Sequence, residues 1–200
     1  MTAKSAHPER QTQNRIIKFF ENELKYTYLG NLEDEQNYNV RWGDFKNYLS
    51  STGLSSDFID SIVYEFNKII SDFSQSPYKT NKEVYSVLKY GIKLAEHAGE
   101  APKTIYLINW EEPEKNNFYI AEEVTVNGNV EKRPDIVLYI NGIAIAVLEL
   151  KKSTVSVADG IRQNVTNQRE DFIQRFFSTI QICAAANDSE GLRYGTSGTT

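Results

Sequence analysis

Asp135, Glu149 and Lys151 are the residues whose types and spacing best support chemistry in this chain. Asp135 opens the apolar run Ile136-Val137-Leu138-Tyr139-Ile140, and Glu149 and Lys151 close the run that begins at Ile143. The Asn141-Gly142 pair between the runs is a hairpin signal. Two carboxylates and an ammonium carried to one end of a hairpin suit a hard divalent cation with a water beside it. The chemistry implied is metal-assisted hydrolysis of a phosphodiester.

Parity decides whether that reading works. Side chains alternate along a strand, so Asp135, Val137 and Tyr139 share a face, and Ile145, Val147, Glu149 and Lys151 share another. A two-residue turn at Asn141-Gly142 would set Asp135 opposite Leu148 and leave Glu149 on the wrong side. A three-residue loop, Ile140-Asn141-Gly142, pairs Tyr139 with Ile143 and sets Asp135 opposite Val147. Glu149 then becomes a diagonal neighbour of Asp135, roughly 7 Å away. That bulged turn, or another one-residue slip of the same parity, is the expectation. The bland alternative treats Pro134-Asp135 as a turn opening and Glu149-x-Lys151 as a solvated strand end. It does not explain why the face bearing Ile145 and Val147 continues into Glu149 and Lys151.

Asp135, thirteen intervening residues and Glu149-x-Lys151 resemble the nuclease motif of the PD-(D/E)xK superfamily. Glu9 to Arg15, Tyr28-Leu29-Gly30, Arg133 to Val137, Asn141-Gly142 and Leu148 to Lys151 narrow the likeness. They resemble the amino-terminal nuclease domain of type I restriction enzyme R (motor) subunits; Gly160 to Gln163, Asn167-Gln168 and Tyr194 to Thr196 extend the match. The resemblance implies an α/β fold with a restriction-endonuclease-like core, a mixed sheet flanked by helices. It implies Mg²⁺, with Mn²⁺ as an alternative, on Asp135, Glu149, the Leu150 carbonyl and Glu9, with Lys151 as the catalytic cation. Gln168 is the nearest match to the family's Gln-x-x-x-Tyr, with Phe172 in the tyrosine's place, and is carried over as a catalytic residue. Implied partners are double-stranded DNA and the methyltransferase and specificity subunits of a restriction complex. A helicase motor is expected to follow this chain. ATP would serve only that motor, because no Gly-x-x-x-x-Gly-Lys-Ser/Thr occurs here.

Two hundred residues, 40% hydrophobic and 12% aromatic, suffice for one globular unit with a sizeable core. No apolar stretch approaches the roughly 20 residues that span a bilayer, and the polar start lacks a signal-peptide core. A cytoplasmic protein with no membrane partner is expected. The single cysteine, Cys183, reads as a buried small hydrophobe, and His7 and His97 are too few for a zinc site. A net charge of −5 argues mildly against a basic nucleic-acid clamp. Lys151, Lys152, Arg162, Arg169 and Arg175 are the candidate DNA contacts, the three arginines being equally readable as solvated charges.

The elements that must position these residues fall into three zones. Ile16, Ile17, Phe20 and Leu24 predict a helix from Pro8 to about Tyr28. Glu9 and Gln13 continue its apolar stripe, Glu9 either as a first-turn charge or as an active-site group, which the resemblance favours. Residues 38–90 read as a helical insertion without a catalytic constellation, its Trp42 and tyrosines serving packing rather than base stacking. Ser55, Ser56 or Asp57 would cap its strongest helix, and a weaker helical pattern runs from Glu83 to Leu94. Strands are predicted over 104–109 and 118–126, then the hairpin, then a helix from Ala158 or Asp159 to about Phe177. That helix would turn Ile161, Val165, Phe172 and Phe176 inward, with Gln168 on the stripe. A final buried strand would span 180–186. The catalytic core is thus expected over 8–30 and 103–187. Two rival readings are a stand-alone repair or junction nuclease and a catalytically silent docking module.

Overall fold

The computed structural model describes residues 8–198, so His7 lies outside them. The long apolar runs become the middle of a six-stranded sheet ordered β1-β4-β5-β6-β7-β8. These strands are β1 (Thr27–Asn31), β4 (Phe118–Glu122), β5 (Ile136–Ile140), β6 (Ile143–Leu150), β7 (Ile182–Asn187) and β8 (Gly191–Gly195). The β1/β4 and β6/β7 pairs are parallel and the rest antiparallel. Both faces of β5 and β6 are covered, which is why neither run alternates with polar residues. Helix α1 (Pro8–Asn22) covers one face through Ile17, which meets Ile120, Ile136 and Leu150. On the other face, Val137, Tyr139 and Val147 pack with Ile173, Phe176, Phe177 and Ile180, and α5 (Val157–Asn167) lies alongside against β6 and β7.

Helices α2 (Trp42–Ser51), α3 (Ser56–Ile70) and α4 (Pro77–Tyr90) form the expected helical block, with Ser55 at the α3 N-cap position. They share a core of Phe45, Leu49, Phe58, Ile62, Phe66, Val84 and Leu88 with the ribbon of β2 (Ile92–Leu94) and β3 (Lys103–Ile105). This block closes over the turn of the β5–β6 hairpin. A side chain at Gly142 would stand 2.7 Å from the Arg41 carbonyl, and Gly142 has φ +83. The helical block therefore caps one end of the hairpin and leaves the carboxylates at the other. Its tyrosines are not all packing residues: Tyr64, Tyr78, Tyr85 and Tyr90 are exposed, because α3 and α4 turn their aliphatic and phenylalanine stripe inward instead.

The hairpin reaches the anticipated parity by a different device. The turn is two residues, Asn141 (φ 52) and Gly142 (φ 83), with Ile140 paired to Ile143. The slip occurs inside β6, where Tyr139 pairs with Ala144 and Leu138 with Ala146, leaving Ile145 as the extra residue of a bulge. The register then runs through Ile136 and Leu148, and its next step sets Asp135 against Glu149 rather than Val147.

Other boundaries moved. Helix α1 ends at Asn22, leaving Leu24 exposed and Tyr28 in β1, because the chain must turn to enter the sheet beside β4. Residues 103–105 join β2 in a separate ribbon, and β4 stops at Glu122. The helix expected to reach Phe177 breaks after Asn167, and Gln174–Ser178 forms a 3-10 turn. Its inward residues are Val157, Gly160, Asn164 and Asn167, while Ile161 and Val165 are 42% and 45% exposed. Close approach explains the swap: a Cβ on inward Gly160 would stand 2.9 Å from Ala185 Cβ, and the neighbouring inward Asn164 is held by a hydrogen bond to the Ala184 carbonyl. Ser156, not Ala158 or Asp159, caps this helix. Strand β7 begins at Ile182, which is exposed, and is not the last; β8 flanks it as an exposed edge. Cys183 is buried as anticipated, and burial pushes its thiol up to about 11. No helix among the described residues is long and apolar enough to cross a membrane.

Candidate active site

The open end of the hairpin gathers Asp135, Glu149 and Lys151. One Asp135 oxygen accepts the Leu150 amide at 2.5 Å, tying the end of β5 to β6. Glu149 is fully buried. Its Oε2 accepts from Gln163 Nε2 at 2.6 Å and lies 3.8 Å from Lys151 Nζ, whereas its Oε1 has no partner among the described residues. A buried carboxylate oxygen left unpaired costs on the order of 1–3 kcal/mol, so the site is built for something that satisfies it. Lys151 Nζ donates to the Leu150 carbonyl at 3.0 Å.

Burial raises both carboxyls above the ordinary range. For Glu149 the next cause is the charge of Asp135, with Lys151 acting against it. For Asp135 the Leu150 amide and Lys151 oppose the rise, and Glu123 and Glu9 add to it. A hydrogen bond between the Glu149 and Asp135 carboxyls adds to the rise, so the oxygen that no protein donor reaches can be satisfied by a shared proton or by a cation in its place. Glu149 Oε1 and the Asp135 carboxylate are hard oxygen donors, as Mg²⁺ requires. Among the described residues no three His, Cys, Asp or Glu side chains stand close enough to hold a metal alone. That donor set fits an ion completed by waters and a phosphate rather than a full protein cage.

Glu9 begins α1 near enough to act on Asp135 electrostatically, without joining it as a third ligand. Gln13, on the same stripe, donates to the Asp135 carbonyl at 2.9 Å and to Glu123 at 3.1 Å. Helix α1 is anchored by Arg10, whose two terminal nitrogens grip buried Glu122 at 2.6 and 2.9 Å, with Tyr28 donating to the same carboxylate at 2.5 Å. Gln168 does not reach the carboxylates. Its amide donates to the Asn164 carbonyl at 3.1 Å and accepts from Gly198 at 2.6 Å, fastening the end of α5. Phe172 lies under Lys132 instead. Lys152 is exposed beside Lys151. Arg162 pairs with Asp159, Arg169 with Asp171 at 3.5 Å, and Arg175 stacks on Phe73, so these arginines have local partners.

Three neighbours escaped sequence reasoning. Gln163 is the glutamine that holds Glu149; its signal was its position three residues after Gly160. Glu123 sits at φ 51, held by Arg133 at 2.9 Å, and with Glu122 it ends an apolar strand as Asp135 begins one. Gly160 is the third. A Cβ there would stand 2.9 Å from Ala185 Cβ, 3.5 Å from Glu149 Cβ and 3.6 Å from Lys151 Cε. Gly160→Ala is therefore expected to lift α5 and weaken the Gln163–Glu149 contact. Overpacking of this kind costs roughly 1–3 kcal/mol against the helix propensity gained. Urea denaturation checks it, and an unchanged or raised midpoint would show that α5 has room to spare.

In chemical terms, Asp135 and Glu149 would be the residues to hold a divalent cation, with Lys151 as a fixed positive charge beside them. Similar proteins bear on this. The chain is 28% identical to the MjaIXP endonuclease subunit of Methanocaldococcus jannaschii, over 92% of this chain and 19% of that protein. It is 26% identical to the MjaVIIIP endonuclease subunit of the same organism over 78% of this chain and 17% of that protein. A shorter match to the MjaVIIP endonuclease subunit is 32% identical over 52% of this chain and 10% of that protein. All three are provisionally named as parts of type I restriction enzymes, and this chain spans less than a fifth of their length. The family described as the type I restriction enzyme R protein N terminus matches residues 7–200. By that match across nearly its whole length, with the paired carboxylates and lysine inside it, this chain belongs to the N-terminal family of type I restriction enzyme R proteins.

Proposed function

We propose that this chain is the Mg²⁺-dependent endonuclease domain of a type I restriction R subunit, hydrolysing DNA phosphodiester bonds on a PD-(D/E)xK core. The observation that carries the proposal is the orphaned, fully buried Glu149 oxygen beside Asp135 and Lys151. Asp135 and Glu149 hold the cation, with Mn²⁺ as its usual substitute. Bound there, the cation supplies charge neutralisation for the phosphate and a more acidic water. Gln163 fixes the Glu149 carboxylate through Oε2 and so leaves Oε1 free for the ion. Lys151 is a fixed cation beside the developing phosphorane charge. The Leu150 carbonyl, bonded to Lys151 Nζ, keeps that ammonium in place and retains a second lone pair for the metal. Lys152 contacts the DNA backbone.

The motor that feeds DNA to this site, with its ATP, belongs to the remainder of the subunit, and the methyltransferase and specificity subunits supply target recognition in the cytoplasm. Calorimetry of the metal-free chain against Mn²⁺ and Mg²⁺ is the test. Wild type should bind and Asp135→Asn should not, with both folded. Equal binding by the two would sink the assignment. Without the motor, the chain should cut duplex DNA barely at all; vigorous ATP-independent cleavage would point to a stand-alone nuclease.

A further inference from the structure

The opposite end of the hairpin carries a groove that the nuclease reading does not use. It has a volume of about 790 Å³, and Tyr85, Lys89, Tyr90, Tyr106 and Trp110 line it. The four aromatic residues are 46–63% exposed, far more than packing requires. Trp110 is held by its edge, donating from Nε1 to the Leu88 carbonyl at 2.8 Å, so the ring is fixed while much of its surface meets solvent. Lys89 Nζ donates to the Tyr85 hydroxyl at 3.4 Å and stands 5.6 Å from the Tyr90 ring centre, a cation held at the edge of one ring and beside the other.

Charge accompanies the rings. Between Lys79 and Lys93 the chain has four lysines and one glutamate, although the whole chain carries −5. Among the described residues none of Lys79, Lys82, Lys89 and Lys93 has a carboxylate within ion-pair distance, whereas Arg15, Arg133, Arg162 and Arg169 near the sheet each have one. Tyr78, Lys82, Tyr85 and Lys89 recur at helical spacing and form one exposed stripe of α4 leading to the groove. Lys93 is paired with Thr104 across the ribbon, so its side chain shares the face on which Thr104 lines the groove. Glu111 is the one carboxylate in the lining.

Flat rings alternating with cations that have no carboxylate partner match a polyanion whose monomers have exposed π-faces. We infer that this groove binds single-stranded nucleic acid, two or three bases stacking on Tyr85, Tyr90, Tyr106 and Trp110 while Lys82, Lys89 and Lys93 meet the phosphates. Duplex DNA would not serve, because its bases are already stacked. The groove is separate from the carboxylates: Asn141, at the turn, donates to the Leu107 carbonyl, and Glu149 lies eight residues further along β6, roughly 25 Å at strand rise. An unpaired strand would thus be held clear of the site of cleavage. The inference stands independently of the metal assignment.

Fluorescence anisotropy of this chain with a labelled oligothymidylate of about a dozen nucleotides tests it, at low salt without metal. Wild type should bind saturably, with quenched tryptophan emission and an affinity that falls with salt. Tyr90→Ala and Tyr106→Ala should each weaken binding about tenfold, in the range of one stacking contact. Lys89→Glu should weaken it similarly and flatten the salt slope. All three positions are exposed, and thermal melts identify any variant that misfolds; Lys89→Glu stands as the variant least able to do so. Asp135→Asn should bind like wild type. Absence of saturable binding would overturn the inference and leave the groove to a protein partner. Equal affinity for an abasic oligomer or for duplex would overturn it too, as would loss of binding in Asp135→Asn.

Discussion

Lys151→Ala, introduced into an R subunit containing this chain, is expected to lower DNA cleavage by about two to three orders of magnitude, the scale set by removing one preorganised charge from a transition state. The Lys151 side chain is only 17% exposed and its ammonium is held by the Leu150 carbonyl, 3.8 Å from Glu149. Little reorganisation is then needed when charge develops on the phosphate. Translocation and ATP hydrolysis should continue, since neither draws on this hairpin. Parallel assays of plasmid linearisation and ATP turnover separate the two. Because Lys151 also tempers the charge of Glu149, a stability readout must accompany them. If Lys151→Ala melts the chain instead of silencing it, the lysine is an ion-pair member and its proposed role fails.

A second large effect is expected on folding without metal. Glu149 has its carboxyl raised above the ordinary 4.5, chiefly by burial and then by Asp135, and Asp135 is raised above 3.8 in the same way. The folded chain therefore keeps protons that the unfolded chain has already released. Stability from these groups is complete below the unfolded values and declines as pH rises through the raised ones. Each proton contributes at most about 1.4 kcal/mol per pH unit. Urea denaturation in the presence of a chelator, from about pH 5 to pH 9, should show this fall. Saturating Mg²⁺ should remove it, because the ion takes the proton's place. Glu149→Gln keeps an acceptor for Gln163 and loses the buried charge. It should raise metal-free stability at high pH by about 1–3 kcal/mol while abolishing metal binding. A Glu149→Gln chain that is less stable than wild type at high pH would show that the carboxylate is already compensated.

Local rules made the hairpin legible. The two-residue period of strands and the sequence separation of Asp135 and Glu149 demanded one residue of slip if the pair was to share a face, and the pair does share one. They did not locate the slip. Asn141-Gly142 kept the tight turn its residue types favour, and the bulge went to Ile145, a choice made where β6 passes between β5 and β7. The helices α2 to α4 were equally legible, since their apolar stripes repeat at helical spacing.

What the sequence could not decide was which polar residues meet. Gln163 and Gln168 lie five positions apart on one segment, and only the approach of α5 to β7, made possible by Gly160, turned the first toward Glu149 and left the second on backbone. The same approach exposed Ile161 and Val165, reversing the expected face. Glu123 gave no periodic signal because its role depends on β4 lying beside β5, a pairing between residues far apart in the chain. The tyrosines of α4 looked like packing because aromatic residues usually are; their exposure followed from which stripe the helix buried. Periodicity is a property of neighbours along the chain, so it determined the strands, the helices and the shared face of the carboxylates. Partner choice is a property of neighbours in space, and the tertiary structure alone settled it.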